Sequence, residues 1–297
     1  MKVVIFGIGM AGRAIYRKFK NSHKIINFID NNVSLDGQKY NNINIISVNK
    51  IIDNKDFDKI AISGVWASSM KKQLLDLGIS EKKIWLIDDD ILDFSTDDRI
   101  KQTDDIVNEF AKLMKENNIS YCIEGSSLLC LLRSQNLSDV PDVDILIKSQ
   151  EDLEKIWQLL NNNDILNKNQ LTKVIYKKDK ILTKKDQIDK ILLKSNSNPS
   201  ITEPTILDIN LAVDIGKYYI MDYTDDLYLY FNKEFVDGKK YFNYKDMKLL
   251  IPFQEEKYVK LLYGEGWIKP AKKWFYTDYG NLLTTNQLIN FIEDNKV

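Results

Sequence analysis

Residues 124–147, EGSSLLCLLRSQNLSDVPDVDILI, run a Gly-Ser pair into an apolar stretch and then set Asp142 and Asp144 directly before Ile-Leu-Ile. An isolated ionised carboxylate is costly to bury unless it is paired or holds a metal. Two acids at the mouth of a buried strand therefore require a partner. Spaced two apart on a strand, Asp142 and Asp144 share one face with Cα atoms about 7 Å apart, so both can reach one hard cation. Mg²⁺ (or Mn²⁺) suits such a pair, because it takes oxygen ligands and usually keeps only one or two protein carboxylates, leaving its other positions to water and substrate phosphates. A third acid would complete the set. Asp208 in TILDINLAV, where a carboxylate interrupts another strand-like apolar run, is the first candidate, and Asp214 the second.

Working upstream, ISYCIEG reads as a strand ending at Gly125, and SLLCLLRS as a short buried helix. Gly125, Ser126 and Ser127 are expected to form a turn whose amides and hydroxyls hold phosphate oxygens. Arg133, closing the helix, is placed to reach a phosphate. Before this block, TDDIVNEFAKLMKENN has the spacing of a capped amphipathic helix.

The chain opens differently. KVVIF is a β-branched apolar run, followed at once by GIGMAG and by RAIYRKFKNS at helical spacing. A second strand, KIINFID, ends at Asp30, 23 residues after Gly7, where an acid meets a ribose hydroxyl in a dinucleotide fold. Gly7, Gly9 and Gly12 let the backbone approach a pyrophosphate at a helix start, where free N–H groups favour anions. Equally, the three glycines can serve only the turn and the helix packing, and Asp30 can cap a turn before Asn31 and Asn32. The strands INIIS, KIAIS and KIWLI continue a compact βαβ array that resembles the Rossmann-like module of bacterial surface-glycan enzymes. The resemblance does not fix a ligand, and a nucleotide or NAD(P) is the candidate for it. The polar run 88–102, DDDILDFSTDDRIKQ, closes this array, and its acids read as helix caps or wet surface. The domains are accordingly expected at 1–95 and 96–297.

Composition narrows the chemistry. In 297 residues, 42 basic side chains balance 43 acidic ones, so no broad positive field exists to hold nucleic acid. A single histidine, His23, argues against histidine acid-base catalysis and His-rich metal sites. Carboxylates must carry any chemistry. The two cysteines, Cys122 and Cys130, lie inside apolar runs, as expected of core thiols in a reduced, cytoplasmic chain. No uncharged apolar run reaches the roughly 18 residues of a membrane span and no signal-peptide pattern opens the chain, so a soluble protein is expected, with peripheral membrane association still open.

A Gly-Ser turn, a short helix and then D-x-D on the next strand is the layout of the nucleotidyltransferase fold, and the LicD family is its closest form here. EGSSLLCLLR resembles the family's Gly-Gly-Ser/Thr-Leu-Leu-Gly-x-x-Arg, and DVD its closing D-[IV]-D. MKLLIPFQEEKYVKLLYGEGWIKP, residues 247–270, resembles the family's C-terminal signature of Ile-Pro, a Tyr-containing helix, Tyr-Gly, Trp and Pro. Ser126 and Cys130 stand where the family has glycine, and SDVP replaces its Trp-Asp run. The blocks anchor roughly residues 100–275 and imply an α/β chain: a Rossmann-like parallel-sheet domain, then an α+β nucleotidyltransferase-fold domain. They also imply metal-dependent transfer of a phosphocholine-like or polyol phosphate from a CDP-linked donor to a glycan acceptor, in capsule or lipopolysaccharide biosynthesis. Asp142, Asp144 and Asp208 would be its metal ligands and catalytic residues, and Gly125, Ser126, Ser127 and Arg133 its donor-binding groups. Transfer of a nucleoside monophosphate from a triphosphate would use the same side chains, and a non-catalytic nucleotide-sensing scaffold is the rival from another class. Residues 167–200, rich in Lys and Asn, are expected to form polar hairpins or a mobile loop. In the C-terminal block Tyr258 and Leu262 are expected in the core, with Lys269, Lys272 and Lys273 as weaker phosphate contacts.

Overall fold

The structure is a computed structural model that describes residues 1–53, 56–88, 91–93, 95–162, 171–176, 181–183, 186–195, 204–224, 226–269 and 274–295. It is a mixed α/β protein of two compact units, Met1–Phe94 with Pro270–Asp278, and Ser95–Lys269 with Tyr279–Val297. The second unit therefore differs from the expected 96–297 by the stretch 270–278, which returns to the first unit: Phe275 packs on one of its cores and Tyr276 lies 4.7 Å from Trp66.

The first unit strings β1 (Lys2–Phe6), α1 (Met10–Phe19), β2 (Lys24–Asp30), β3 (Lys39–Tyr40), β4 (Ile43–Ser47), β5 (Lys59–Ile62), α2 (Ala67–Asp76) and β6 (Ile84–Leu86). Its sheet has the order β3-β4-β2-β1-β5-β6, parallel throughout except for β3 against β4. Such a sheet is buried on both faces, which is why KVVIF is a continuous apolar run rather than an alternating one. Val3 and Ile5 pack towards Ile15 of α1 and Phe28, whereas Val4 and Phe6 pack towards Leu74 of α2 and Ile62.

The second unit begins with α3 (Asp97–Glu116), capped by the Thr96 hydroxyl, which accepts from the Arg99 amide at 3.2 Å. Asp97 and Asp98 occupy its first turn, where carboxylates complement the free amides, so the helix starts earlier than its apolar periodicity predicts. There follow β7 (Cys122–Ile123), α4 (Gly125–Leu132), β8 (Val143–Ile147), α5 (Gln150–Asn162), β9 (Leu171–Tyr176), β10 (Lys190–Ser195), β11 (Ile206–Ile215), β12 (Tyr218–Thr224), β13 (Leu227–Asn232), α6 (Lys233–Val236), β14 (Lys240–Tyr244), β15 (Met247–Ile251), α7 (Glu255–Tyr263), β16 (Leu282–Thr284) and α8 (Thr285–Asn295). The ten-residue strand β11 is the spine. Along 206–210 it pairs antiparallel with β10, along 207–211 it pairs parallel with β8 on its other edge, and along 212–215 it passes to β12. Within the Lys- and Asn-rich stretch, β9 and β10 form an antiparallel pair; its remaining residues lie largely outside the described ones. Tyr258, Val259 and Leu262 of α7 are buried in the main core, and no helix among the described residues is long and apolar enough to cross a membrane.

Candidate functional site

The parallel register of β8 and β11 sets Asp144 directly opposite Asp208. Neighbouring strands lie about 4.8 Å apart, so two carboxylates at facing positions meet without help from any loop. Asp142, just ahead of β8, joins them, and Asp142, Asp144 and Asp208 each offer a carboxylate oxygen within 4.8 Å of the others. Asp208 is 9% exposed, and its Oδ1 is buried with no hydrogen-bond partner among the described residues. A buried ionised oxygen left bare is costly, and a hard cation among three carboxylates satisfies it. The all-oxygen donor set suits Mg²⁺ or Mn²⁺.

The first turn of α4 holds this cluster in place. Gly125 has φ +55°, and a Cβ there would lie 2.9 Å from Asp144 Oδ2, so glycine is required on both counts. Ser126 Oγ donates to Asp144 Oδ2 at 3.0 Å. Ser127 Oγ accepts from the Asp144 amide at 2.9 Å and donates to the Asp142 carbonyl at 3.2 Å. Where a turn is expected the chain is helical from Gly125, and both hydroxyls bond to the acids, Ser126 to a side chain and Ser127 to the backbone. Arg133 likewise has another partner: its Nε donates to the Trp267 carbonyl at 2.9 Å, joined by Nη2. Asp214, on the same strand as Asp208 but six residues on, is about 20 Å away and ion-paired with Lys233, so Asp208 is the third acid of the cluster.

Three residues of the site escape the sequence reading. Lys190 Nζ lies 2.6 Å from Asp208 Oδ2, because β10 pairs Leu192 with Asp208 and brings Lys190 to the same face, one diagonal step away. Glu124, 3% exposed, sits between β7 and α4 and accepts a hydrogen bond from Tyr258 at 2.8 Å. Glu124 carried a usable signal, since it ends an apolar run as Asp208 interrupts one; Lys190 carried none before the pairing of its strand was known. Arg99, 2% exposed on α3, donates to the Val140 and Pro141 carbonyls at 2.7 and 3.0 Å and to that of Ser138, fixing the loop that delivers Asp142. In the same loop Asp139 accepts from the Asn136 amide at 2.9 Å.

These contacts join the two separated sequence blocks: Glu124 meets Tyr258 and Arg133 meets Trp267. They also concentrate negative charge. Burial, reinforced by Asp208, pushes the Asp142 carboxyl up to about 6, and burial with Asp142 beside it raises Asp144 well above the usual carboxylate range. Burial pushes Glu124 up to about 7, against the opposing hydrogen bond from Tyr258. Lys190 loses some affinity for its proton through burial but gains more from Asp208, and is raised overall.

In the first unit Gly7 has φ +88°, and a Cβ on Gly12 would lie 1.8 Å from the Gly7 carbonyl oxygen, so these two glycines are demanded by the turn and the helix packing. Gly9, with nothing within 4 Å of an added Cβ, is not. Asp30 accepts from the Ile8 amide at 2.9 Å and the Asn32 amide at 2.8 Å, tying the glycine turn to the end of β2. Lys269 is exposed; Lys272 and Lys273 lie outside the described residues.

Residues 1–85 match the family model C2185-like, N-terminal. No curated protein matches the chain in sequence. Among solved structures, a lincomycin-bound lincosamide antibiotic adenylyltransferase is similar at TM-score 0.35 and 14% identity over 65% of this chain and 95% of its own. UDP-D-quinovosamine 4-dehydrogenase from Vibrio fischeri is similar at TM-score 0.24 and 19% identity over 29% of this chain and 74% of its own. RSP in complex with beta-NADH is similar at TM-score 0.23 and 21% identity over 39% and 60% respectively. Likenesses at these scores carry no argument about function.

Proposed function

We propose that this chain is a metal-dependent transferase that moves a phosphorus-containing group from a nucleotide donor. More finely, we read it as a LicD-like enzyme with a nucleotidyltransferase fold, passing a phosphocholine-like or polyol phosphate from a CDP-linked donor to a cell-surface glycan. The carrying observation is the convergence of Asp142, Asp144 and Asp208, one ligand oxygen each within 4.8 Å, with Asp208 Oδ1 buried and otherwise bare. The contacts Glu124–Tyr258 and Arg133–Trp267, which bring the two LicD-like blocks together, support the finer reading. A bound Mg²⁺ would act there as a Lewis acid on the donor's phosphate oxygens. The chain's own part is to hold three carboxylates to one point: Ser126 orients Asp144, Ser127 locks the backbone between the two acids, and Lys190 holds Asp208. For the first unit, the same reading assigns the turn Gly7 to Gly12 to a nucleotide or NAD(P) phosphate, with Asp30 holding that turn from below.

The test is ³¹P NMR of the purified chain with Mg²⁺, a hydroxyl-bearing glycan acceptor and either CDP-linked alcohols or nucleoside triphosphates. Phospho-alcohol transfer releases CMP, whereas nucleotidyl transfer releases pyrophosphate. A chain that releases neither, and whose melting responds to no nucleotide with Mg²⁺ in either wild type or Asp142→Asn/Asp144→Asn, refutes the assignment of the acids.

A further inference from the structure

Two oxygens of the acidic cluster already have partners within the chain. Asp208 Oδ2 is held by Lys190 Nζ at 2.6 Å, and Asp144 Oδ2 by the Ser126 hydroxyl at 3.0 Å under the close approach of Gly125. Asp208 Oδ1 is buried with no hydrogen-bond partner among the described residues, and each of the three acids offers one ligand oxygen to a common point. A pair of metal ions about 3.5–4 Å apart, the usual spacing of two-metal phosphoryl-transfer sites, is bridged through both oxygens of a shared carboxylate or through substrate. The two strand-borne acids facing each other across β8 and β11 each have one oxygen already engaged.

Resting on the metal-site reading above, we propose that Lys190 is a built-in cation standing where a second metal would sit, so that the cluster takes one divalent ion and no more. One ligand oxygen from each of the three acids leaves half of an octahedral shell for water and donor phosphate. The ammonium is not a loose surface charge: Lys190 is set on the face of Asp208 by the ladder that pairs Lys190 with Asn210 and Leu192 with Asp208, and its side chain is 29% exposed. A second divalent ion at Asp208 would have to displace this ammonium or sit against it, and like charges at such range in a partly buried site repel strongly. Breaking the pair by removing the lysine leaves Asp208 uncompensated, which creates a vacancy that a cation is best suited to fill.

The experiment counts bound Mn²⁺ by electron paramagnetic resonance and titration calorimetry, with Mn²⁺ alone and with CDP added. Wild type and Lys190→Arg, which keeps the charge, are expected to bind one Mn²⁺ in both conditions; Lys190→Met, which keeps the stem and loses the charge, is expected to bind two. Two ions in wild type overturn the inference while leaving the metal site intact, as does a single ion bound with unchanged affinity by Lys190→Met. No Mn²⁺ in wild type, or binding that survives Asp142→Asn/Asp144→Asn, overturns the metal-site reading itself. If Lys190→Met does not fold, the wild-type count with CDP decides alone.

Discussion

Replacing Asp142 by Asn should make the metal-free protein more stable, although it removes a proposed metal ligand. Asp142 has its carboxyl pushed from 3.8 up to about 6 by burial and by the negative charge of Asp208. Two units are about 3 kcal/mol at 1.36 kcal/mol per unit, and the partial exposure of the side chain reduces this to about 2 kcal/mol. The sign follows from linkage. A carboxyl whose folded value is raised binds its proton more readily in the folded state, so the contribution of Asp142 to stability is largest below about pH 4 and is lost as pH rises through about 6. The neighbouring acids share these protons, so the window belongs to the cluster rather than to one residue. In EDTA at pH 7.5, Asp142→Asn is expected to melt about 4–8 °C above wild type, and at pH 4 within a degree or two of it. Mg²⁺ should act in the opposite direction, raising the melting point of wild type at pH 7.5 by the equivalent of about 2.7 kcal/mol at 100 times its dissociation constant, and leaving Asp142→Asn unmoved. Scanning calorimetry at the two pH values reads all four quantities. A variant no more stable than wild type in EDTA at pH 7.5 would refute the claim that charge crowding strains the empty cluster.

Gly12→Ala should destabilise the first unit by about 3 kcal/mol or more in urea unfolding, since its Cβ would lie 1.8 Å from the Gly7 carbonyl oxygen, whereas Gly9→Ala, with open space around it, should stay within about 0.5 kcal/mol of wild type. Tyr258→Phe removes the only protein hydrogen bond described for the Glu124 carboxylate and should cost about 1–3 kcal/mol, read from the denaturation midpoint. Arg99→Met should lower Mn²⁺ affinity as well as stability, because it frees the carbonyls of Ser138, Val140 and Pro141 ahead of Asp142; unchanged affinity would show that the loop holds itself. Burial pushes both Cys122 and Cys130 up to about 12, so neither thiol should react with a disulfide reagent at pH 8 until the protein is unfolded.

What could be read from the chain in advance depended on how far apart the interacting residues lie. The strand KVVIF, the glycine turn and the strand KIINFID are neighbours in sequence, and their apolar runs and turn residues fix them locally. Asp142 and Asp144 announced themselves by spacing, and Asp208 by breaking an apolar run. Lys190 did not, because its meaning arises only when β10 pairs with β11 in one particular register. The bonds made by Ser126 and Ser127 were not legible for a related reason: both are ordinary turn formers, and only the pairing of Ser126 with Asp144 and of Ser127 with the backbone of Asp142 and Asp144 sets their hydroxyls on the acids. The stretch 270–278 carries no local mark of belonging to the first unit; Phe275 and Tyr276 are simply aromatics until their neighbours arrive.

The facing of Asp144 and Asp208 has a bearing on how such a chain can drift over generations. Their alignment is written in the ladder between β8 and β11, not in the 63 residues that separate them. Inserted residues in the excursion outside the strands cost little, since each doubling of a flexible loop adds only about 0.6 kcal/mol of closure entropy. A single residue gained or lost between Ile206 and Asp208 is another matter: it turns the carboxylate to the opposite face of the sheet and empties the cluster in one step. Lineages carrying this architecture should therefore vary freely in the length of the excursion while the few positions leading into each acid keep strict count.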